Sequence, residues 1–397
     1  MSAAYAVRSA ASIVLLIIGV LLLVFAAVDF LTGFGLLYCL VLLVLGIVFL
    51  ALSGRVYEPR ERTSTPTLSL ILKGLLRRTM ASETVLVTGA TGLVGSQVVR
   101  ELSQNGHVVR AVVRRPESVS SLQGDRIEPV LGDLAVKGDW TASLSDITAV
   151  VEATQVRVPG RLTLSKARAA AKERQKMTGL LLNSLRSRSV ALRAYISLSG
   201  LEDYAAHGDS WFDESSPIAT TPHGFAHIGL AARPVLQAAR SEWNLPLVTL
   251  RMGLIYGNGG WFPSFVERAR AGRGAIIGPG TNYNSLVSAA DVAQAIRLAV
   301  EKAPVGKEII VADDEPVQQS EWLRSLSEIV NQPPPRRHVP PWLASLVAGQ
   351  INVETFANSK RPRNRQMKEL LGVKLSYPRF REGFQATVDS LPAGAKR

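Results

Sequence analysis

The chain has 397 residues, enough to bury a full hydrophobic core, and carries a net charge of +13. Residues 1–82 contribute only +4, seven basic minus three acidic, so +9 belongs to the rest. Such a surplus is typical of a solvated basic surface, or of attraction to anionic lipid or an acidic partner. The single cysteine, Cys39, excludes an intrachain disulfide and a cysteine metal site, and no pattern predicts binding of metal or nucleic acid.

Two apolar runs without charged residues begin the chain, at 9–28 and 31–53. Each is long enough to cross a hydrocarbon core of about 30 Å, so we expect a transmembrane hairpin over residues 1–54. A cleaved signal peptide followed by one anchor is the alternative. Basic residues flank the hairpin and none lies in its turn. We therefore expect a two-pass protein of the lipid bilayer, with its main domain on the cytoplasmic, or equivalent matrix or stromal, side.

Residues 55–82 combine a polar linker with leucines at helical spacing and basic residues beside them. This pattern predicts a linker and a basic amphipathic helix on the membrane surface. An ordinary helix packed on the domain surface fits the same pattern.

From Thr84 onward, short apolar segments alternate with segments of helical periodicity. The strand-like segments are TVLVTGA, VVRAVVRR, IEPVLGDL, ITAVVEAT, RAYISLSG, LPLVTLRMG and KEIIVADD. This alternation predicts a parallel sheet covered by helices on both faces. A proline-rich break at 331–341 precedes a C-terminal helical segment.

The stretch TGATGLVG follows the first strand and opens a helix. Its glycines allow a sharp turn, close approach to a pyrophosphate and tight packing of helix on strand. The helix N-terminus then faces the phosphates. The predicted cofactor contacts in this loop are Gly89, Thr91, Gly92, Leu93, Val94 and Gly95.

The end of the second strand carries Arg114 and Arg115, where an NAD site would carry a carboxylate. Guanidinium groups suit a 2′-phosphate, so NADP(H) is favoured over NAD(H). Two exposed arginines without a ligand are the alternative. Asp133 could bind the adenine amine or cap the next helix. Further predicted cofactor contacts at the ends of the third and fourth strands are Leu134, Ala153 and Thr154.

Seven motifs in this order, TGATGLVG, RAVVRR, GDL, YISLSG, RMGLIYGNGG, SLVSAADVAQAI and RPRNRQMKELLGVKLSYPRFREG, resemble the short-chain dehydrogenase/reductase superfamily. The likeness is to its extended and atypical branches, such as NmrA-like proteins and the dehydrogenase-like accessory subunit of respiratory complex I. The resemblance implies a Rossmann-type doubly wound parallel sheet, with an NAD(P)-binding domain at 83–250. Residues 251–397 would hold the remaining strands and a small C-terminal α/β substrate-type subdomain.

The resemblance also assigns individual positions. Arg251, Gly253 and Tyr256–Gly257 would line the nicotinamide side of the cofactor, and Asp291 would lie in a structural segment next to the substrate subdomain. Catalysis in the superfamily uses a serine after the fifth strand, a tyrosine, and a lysine four residues later on the same helix face. Ser199, or its neighbour Ser197, fits the serine.

The helix HGFAHIGLAAR carries Phe225 and Gly229 where the tyrosine and lysine are expected. No tyrosine anywhere in the sequence precedes a lysine by four residues, so a shifted alignment does not restore the pair. Tyr204 is the candidate substitute proton donor, with Asp203, His223 and His227 as further neighbours. All four could equally be surface or loop residues.

Two features beside this site are unusual. Glu152 ends a strand beside the predicted cofactor, where it is either a buried carboxylate with a raised pKa or a solvent-exposed one. Residues 161–193 carry many basic side chains and only one acidic one, Glu173. This predicts a contact with a membrane complex or the bilayer, or else a solvated basic face.

These residues favour an NADP(H)-binding protein that serves as a structural, assembly or redox-sensing component of a membrane complex. The loss of the tyrosine and lysine should cost several powers of ten in rate. The alternative is an NADP(H)-dependent oxidoreductase or epimerase acting on a lipid-soluble or isoprenoid-like substrate.

Overall fold

A central parallel sheet organises the fold. The computed structural model describes residues 82–156, 158 and 160–392. The strands of this sheet are β1 Thr84–Thr88, β2 Val108–Val113, β3 Ile127–Leu131, β4 Ala149–Glu152, β5 Ala194–Gly200, β6 Leu247–Met252 and β7 Glu308–Val311. All neighbours are parallel in the order β7-β6-β5-β4-β1-β2-β3. Each strand falls in one of the seven predicted segments, which confirms the Rossmann-type doubly wound sheet.

Side chains alternate between the two faces of each strand, and apolar residues lie on both faces. Helices therefore cover both faces of this sheet. The helices are α1 Leu93–Gln104, α2 Leu164–Ser187, α3 Ala226–Gly229, α4 Arg233–Trp243, α5 Phe262–Arg270, α6 Ala289–Lys302, α7 Gln319–Ile329, α8 Pro341–Ala348, α9 Gln350–Ala357 and α10 Phe380–Ser390. On one face Val85 and Val87 contact a core formed with α1 and α6. On the other face Leu86 packs in a core with α2 and α4.

The C-terminal part has its own aromatic core. Tyr256, Phe262, Trp322 and Phe384 are buried there, and their rings lie 4.6–6.3 Å apart. Short strands pair around it: Leu254–Tyr256 with Leu286–Ser288, Tyr283–Asn284 with Val317–Gln318, Ile276–Ile277 with His338–Val339, and Trp211–Phe212 with Arg361–Pro362. A π-helical turn spans Met367–Leu371, and 3₁₀ turns span Pro116–Ser121, Asp139–Leu144, Leu201–Asp203 and Leu230–Ala232.

The predicted domain boundary after residue 250 falls inside β6, and β7 follows only after α5 and α6. The sheet is therefore completed by strands from both predicted domains. Asp291, in α6, fixes the segment before α10, because its carboxylate accepts hydrogen bonds from the amides of Ser376 and Tyr377 and from the Ser288 hydroxyl.

The predicted transmembrane hairpin, linker and amphipathic helix lie almost entirely outside the described residues. Within the part of the chain that the structure describes, no helix combines the length and the apolar character required to span a bilayer.

Candidate functional site

The glycine loop between β1 and α1 is packed too closely for side chains. Gly89 has a φ of +65°, and a Cβ atom there would lie 2.7 Å from the carbonyl oxygen of Ala153. At Gly95 a Cβ would lie 2.1 Å from the Gly89 carbonyl oxygen, whereas at Gly92 this distance is 3.2 Å. Glycine is therefore required for the turn at 89 and for helix packing at 95.

The loop also leaves polar groups available for a ligand. Helix α1 begins without a side-chain cap, and the backbone amides of Leu93 and Val94 have no acceptor among the described residues. The Thr154 hydroxyl at the end of β4 is buried and likewise has no partner in the described part of the chain. Free amides at a helix N-terminus, glycines without room for a Cβ and an unpaired buried hydroxyl fit a dinucleotide pyrophosphate.

A second glycine-rich segment covers this loop. Cβ atoms at Gly257 and Gly259 would lie 2.9 Å and 3.6 Å from the Leu93 side chain. Tyr256 is predicted to line the nicotinamide side of the cofactor, but its side chain is fully buried in the C-terminal aromatic core. Gly253 packs its backbone on Ser285, whose carbonyl oxygen would lie 2.6 Å from a Cβ at 253.

The residues predicted to select the cofactor lie at the carboxyl ends of β2 and β3. Arg114 and Arg115 are exposed, and neither guanidinium bonds to any residue that the structure describes. One oxygen of Asp133 accepts the Ala135 amide at 2.9 Å, so it caps a turn and leaves its other oxygen exposed. Leu134 is buried in the core with Trp140, so its side chain is not available to a ligand.

Ser199, at the end of β5, belongs to a buried ionic network. Its hydroxyl donates to Asp203 at 2.5 Å, and the same carboxylate is paired with Arg251. Arg251 also donates to Glu308 at 2.9 and 3.1 Å. Arg251 is 2% exposed, and its guanidinium is bonded to both of these carboxylates. Glu308 lies at the start of β7, and no sequence motif identifies it as a site residue.

The network occupies the space where a catalytic lysine would begin. A Cβ atom at Gly229 would lie 2.7 Å from Asp203 Oδ1 and 2.9 Å from Ser199 Oγ. Phe225, in the tyrosine position, is 40% exposed. A small, solvent-open cleft of about 50 Å³ is lined by Gly229, Arg251 and residues of α4, but by none of the glycine loop.

The electrostatics of Asp203 follow from its burial. Burial raises the pKa of this carboxyl, although Arg251 and the Ser199 hydroxyl oppose the shift. Its Oδ1 atom has no hydrogen-bond partner among the described residues. A buried carboxyl in contact with Ser199 thus lies where the side chain of a lysine at position 229 would begin.

Tyr204 lies beside this network, away from solvent. It is 1% exposed, its ring packs on Phe212 at 5.3 Å, and the Arg251 guanidinium lies 5.3 Å from its centroid. Tyr204 lines a separate cavity of about 110 Å³ with His207 and His223, and its hydroxyl has no partner in the described chain. Burial raises the pKa of Tyr204, so the phenol stays protonated.

A family model described as NAD dependent epimerase/dehydratase matches residues 85–312. The chain belongs to this family. A 3-diazoavenalumate denitrifying reductase from a Streptomyces species is 28% identical over 311 residues, which cover 75% of this chain and 98% of that protein.

Two solved structures share the fold of the family. A human epimerase family protein, solved with NADPH, superposes with a TM-score of 0.65 at 20% identity, covering 78% of this chain and all of that one. A UDP-glucuronic acid 4-epimerase from Bacillus cereus, solved with UDP-glucuronic acid and NAD, gives 0.65 at 18% identity, over 77% and 98%. One of these proteins was thus solved with NADPH and the other with NAD, and the family to which this chain belongs is an NAD(P)-binding one.

An alanine at position 229 tests whether the surrounding residues leave room for any side chain where the family has its lysine. Position 229 is helical (φ −58°, ψ −50°), where alanine normally stabilises by about 0.5–1 kcal/mol relative to glycine. We expect Gly229→Ala to destabilise by about 1–3 kcal/mol instead, because its Cβ must displace Asp203 or Ser199. Urea unfolding measures the difference.

Gly179→Ala is the matched control, since position 179 lies within α2 and a Cβ there meets nothing within 4 Å. It should stabilise by the usual amount for a helix, about 0.5–1 kcal/mol. If both alanines stabilise the protein equally, Asp203 and Ser199 can move to admit the new methyl group without lowering the free energy of unfolding.

Glu152 is buried, which decides between the two sequence interpretations. Its carboxylate accepts hydrogen bonds from the hydroxyls of Thr178 and, at 3.0 Å, Tyr195. Burial raises its pKa, while nearby Arg174 lowers it. Arg174 is itself buried and donates to the Leu198 carbonyl at 2.6 Å, so this polar cluster supports the strand end that carries Ser199.

The basic segment 161–193 is only partly free. Arg174 is buried, Arg186 pairs with Glu242 at 3.0 Å, and Arg193 pairs with Glu83 at 3.1 Å. An exposed row remains on α2 at Arg168, Lys172 and Lys176.

Proposed function

We propose that this chain binds NADP(H) and works as a reductase whose proton transfer does not use the tyrosine and lysine of its superfamily. One observation carries the proposal. Ser199 is retained at the end of β5, and the place of the lysine is taken by Asp203, a buried carboxyl bonded to that serine. The similarity over nearly the full length of a curated reductase supports this class of activity.

NADP(H) is proposed over NAD(H) because of Arg114 and Arg115. Both are exposed at the carboxyl end of β2, next to the strand that opens the glycine loop, and both guanidinium groups lack a partner in the described chain. Two cations there favour a 2′-phosphate over a hydroxyl. The glycine loop would hold the pyrophosphate on the amides of Leu93 and Val94.

NADPH held at the glycine loop would supply the hydride. The Ser199 hydroxyl would hold a substrate oxygen and donate its proton to it. In the structure Asp203 is a carboxylate paired with Arg251, and burial raises its pKa, so it takes up a proton more readily than an exposed aspartate and can pass that proton to Ser199 after the transfer. Without a phenol and an ammonium group, an acceptor that is already strongly electrophilic, such as a quinone, is favoured as substrate.

A second candidate is a binding role without turnover, in a structural, assembly or redox-sensing component of a membrane complex. Phe225 and Gly229 favour it, because neither can transfer a proton. In that case the exposed row Arg168, Lys172 and Lys176 would face a partner protein or anionic lipid.

Both candidate functions include attachment of the protein to a bilayer. It rests on the charge-free apolar runs 9–28 and 31–53, and a lipid-soluble or isoprenoid-like substrate would suit it. The main domain is proposed to lie on the cytoplasmic or equivalent side.

The deciding experiment uses the full chain in a mild detergent, with NADPH binding and NADPH oxidation measured against quinones and aldehydes. We expect oxidation that falls on the order of a hundredfold in Ser199→Ala and Asp203→Asn, because each removes part of the proton route. Ser264→Ala, an exposed serine of α5, is the control and should retain full activity.

Tight NADPH binding without oxidation of any acceptor would select the second candidate. Turnover that survives both substitutions but is lost in Tyr204→Phe would place the proton donor at the buried phenol instead.

A further inference from the structure

Helix α8, Pro341–Ala348, is apolar and uncovered. None of its eight residues is buried, and its sequence PWLASLVA contains no charge. Trp342 is 68% exposed, Leu346 56% and Val347 70%. The only side-chain hydrogen-bonding group besides the indole, the Ser345 hydroxyl, donates back to the Pro341 carbonyl within the helix. A surface helix of a soluble domain normally turns a polar face outward, so this surface is unusual.

The helix is fixed to the domain through its two ends. Before it, the strand His338–Val339 pairs with Ile276–Ile277. After it, Gly349 adopts a φ of +90° with its Cα so near Leu162 that a Cβ would lie 2.5 Å from that carbonyl oxygen. The Leu162 amide donates to the carbonyl of Ala348 at 3.4 Å. The exposed apolar face is therefore held in place by well-formed contacts at both ends.

Basic residues lie near both ends of this helix. Arg336 and Arg337 are exposed just before the strand that leads into the helix, and exposed Arg161 adjoins Leu162 at its other end. The sequence contains no acidic residue between Glu328 and Glu354. An apolar surface with a cationic rim is complementary to a bilayer that contains anionic lipid.

We propose that α8 rests on an anionic lipid bilayer, with Trp342, Leu346 and Val347 at the boundary between headgroups and acyl chains. Arg336, Arg337 and Arg161 contact lipid phosphates. Tryptophan suits this depth, because its ring is apolar and its N–H remains near water.

Two protein surfaces that could cover α8 instead of lipid are less complementary to the arginines near its ends. The chain's own apolar runs, 9–28 and 31–53, contain no acidic residue that could pair with the arginines. A second copy docked through the same face would bring two cationic rims together, and like charges repel at close range.

A fluorescent label on α8 tests the proposal in the full chain. Cys39→Ala removes the only cysteine, and Leu346→Cys then takes an environment-sensitive fluorophore such as NBD. The protein is placed in vesicles of equal parts phosphatidylcholine and phosphatidylglycerol, with and without doxyl-labelled lipid. We expect a blue-shifted emission and about a twofold or greater quenching by the doxyl groups.

Ala238→Cys, at an exposed position of α4, is the matched control and should show water-like emission without quenching. Arg336→Gln with Arg337→Gln should reduce the quenching at 346 in vesicles with phosphatidylglycerol, to the level in pure phosphatidylcholine. NADPH binding, measured on the same samples, reports separately on the proposed cofactor site.

Water-like emission at 346 overturns the proposal. Blue-shifted emission that doxyl lipids do not quench also overturns it, because protein then covers the helix: the chain's own apolar segment if the signal is independent of protein density in the vesicles, a second copy if it rises with density.

Discussion

Arg251→Met is expected to lower the free energy of unfolding by about 3–5 kcal/mol. Arg251 and Asp203 are each 2% exposed, and the arginine also binds Glu308. Removing the guanidinium leaves Asp203 buried without its cation, and the unpaired carboxylate carries the full cost of desolvation. Because Ser199 is bonded to Asp203, the end of β5 should loosen as well.

Urea unfolding measures the change, and Arg186→Met is the matched control. Arg186 pairs with Glu242 at 3.0 Å, but both side chains are more than half exposed. A pair of that kind contributes only about 0–1 kcal/mol. Adding Asp203→Asn to Arg251→Met should recover part of the loss, because the uncompensated charge is removed. Similar losses in the two arginine variants would show that the buried pair has no special role.

Arg114→Asp combined with Arg115→Asp is expected to weaken NADPH binding on the order of a hundredfold or more. The physical reason is the loss of two charge-assisted contacts to the 2′-phosphate, with repulsion added by the new carboxylates. NADH affinity should stay within a few-fold or improve, since a carboxylate can bind the ribose 2′-hydroxyl. Titration of both nucleotides gives the preference directly.

Arg126→Asp is the control for this change. Arg126 is exposed immediately before β3, at the amino end of that strand, whereas Arg114 follows the carboxyl end of β2. It alters net charge by a similar kind of substitution without approaching the ribose. If NADPH keeps its affinity in the double variant, the cofactor is not selected by these arginines.

The parts of the site that sequence predicts well are local. Gly89 and Gly95 can be recognised because a strand, a turn and a helix follow each other within a few residues, and the close backbone contacts confirm both glycines. The seven strand segments are also found where alternation of apolar segments places them. The absence of the tyrosine and lysine is likewise a matter of reading two positions on one helix.

The environment of Ser199 is not local. Its network joins Asp203 to Arg251 across 48 residues and Arg251 to Glu308 across 57. Arg251 matches a motif that suggests the cofactor side, yet the folded sheet places its guanidinium between two carboxylates. Spacing along the chain carries no information about such pairs, because β5, β6 and β7 meet only in the sheet.

The sequence by itself determined the parallel sheet, the glycine turn, the cationic end of β2 and the loss of the proton relay, because each depends on neighbouring residues or on periodicity. Only the tertiary structure decided that Gly229 has no space for a side chain and that Glu152 is buried. It also decided that α8 exposes its apolar face. Burial and exposure depend on which surfaces cover a residue, and those surfaces come from distant parts of the chain.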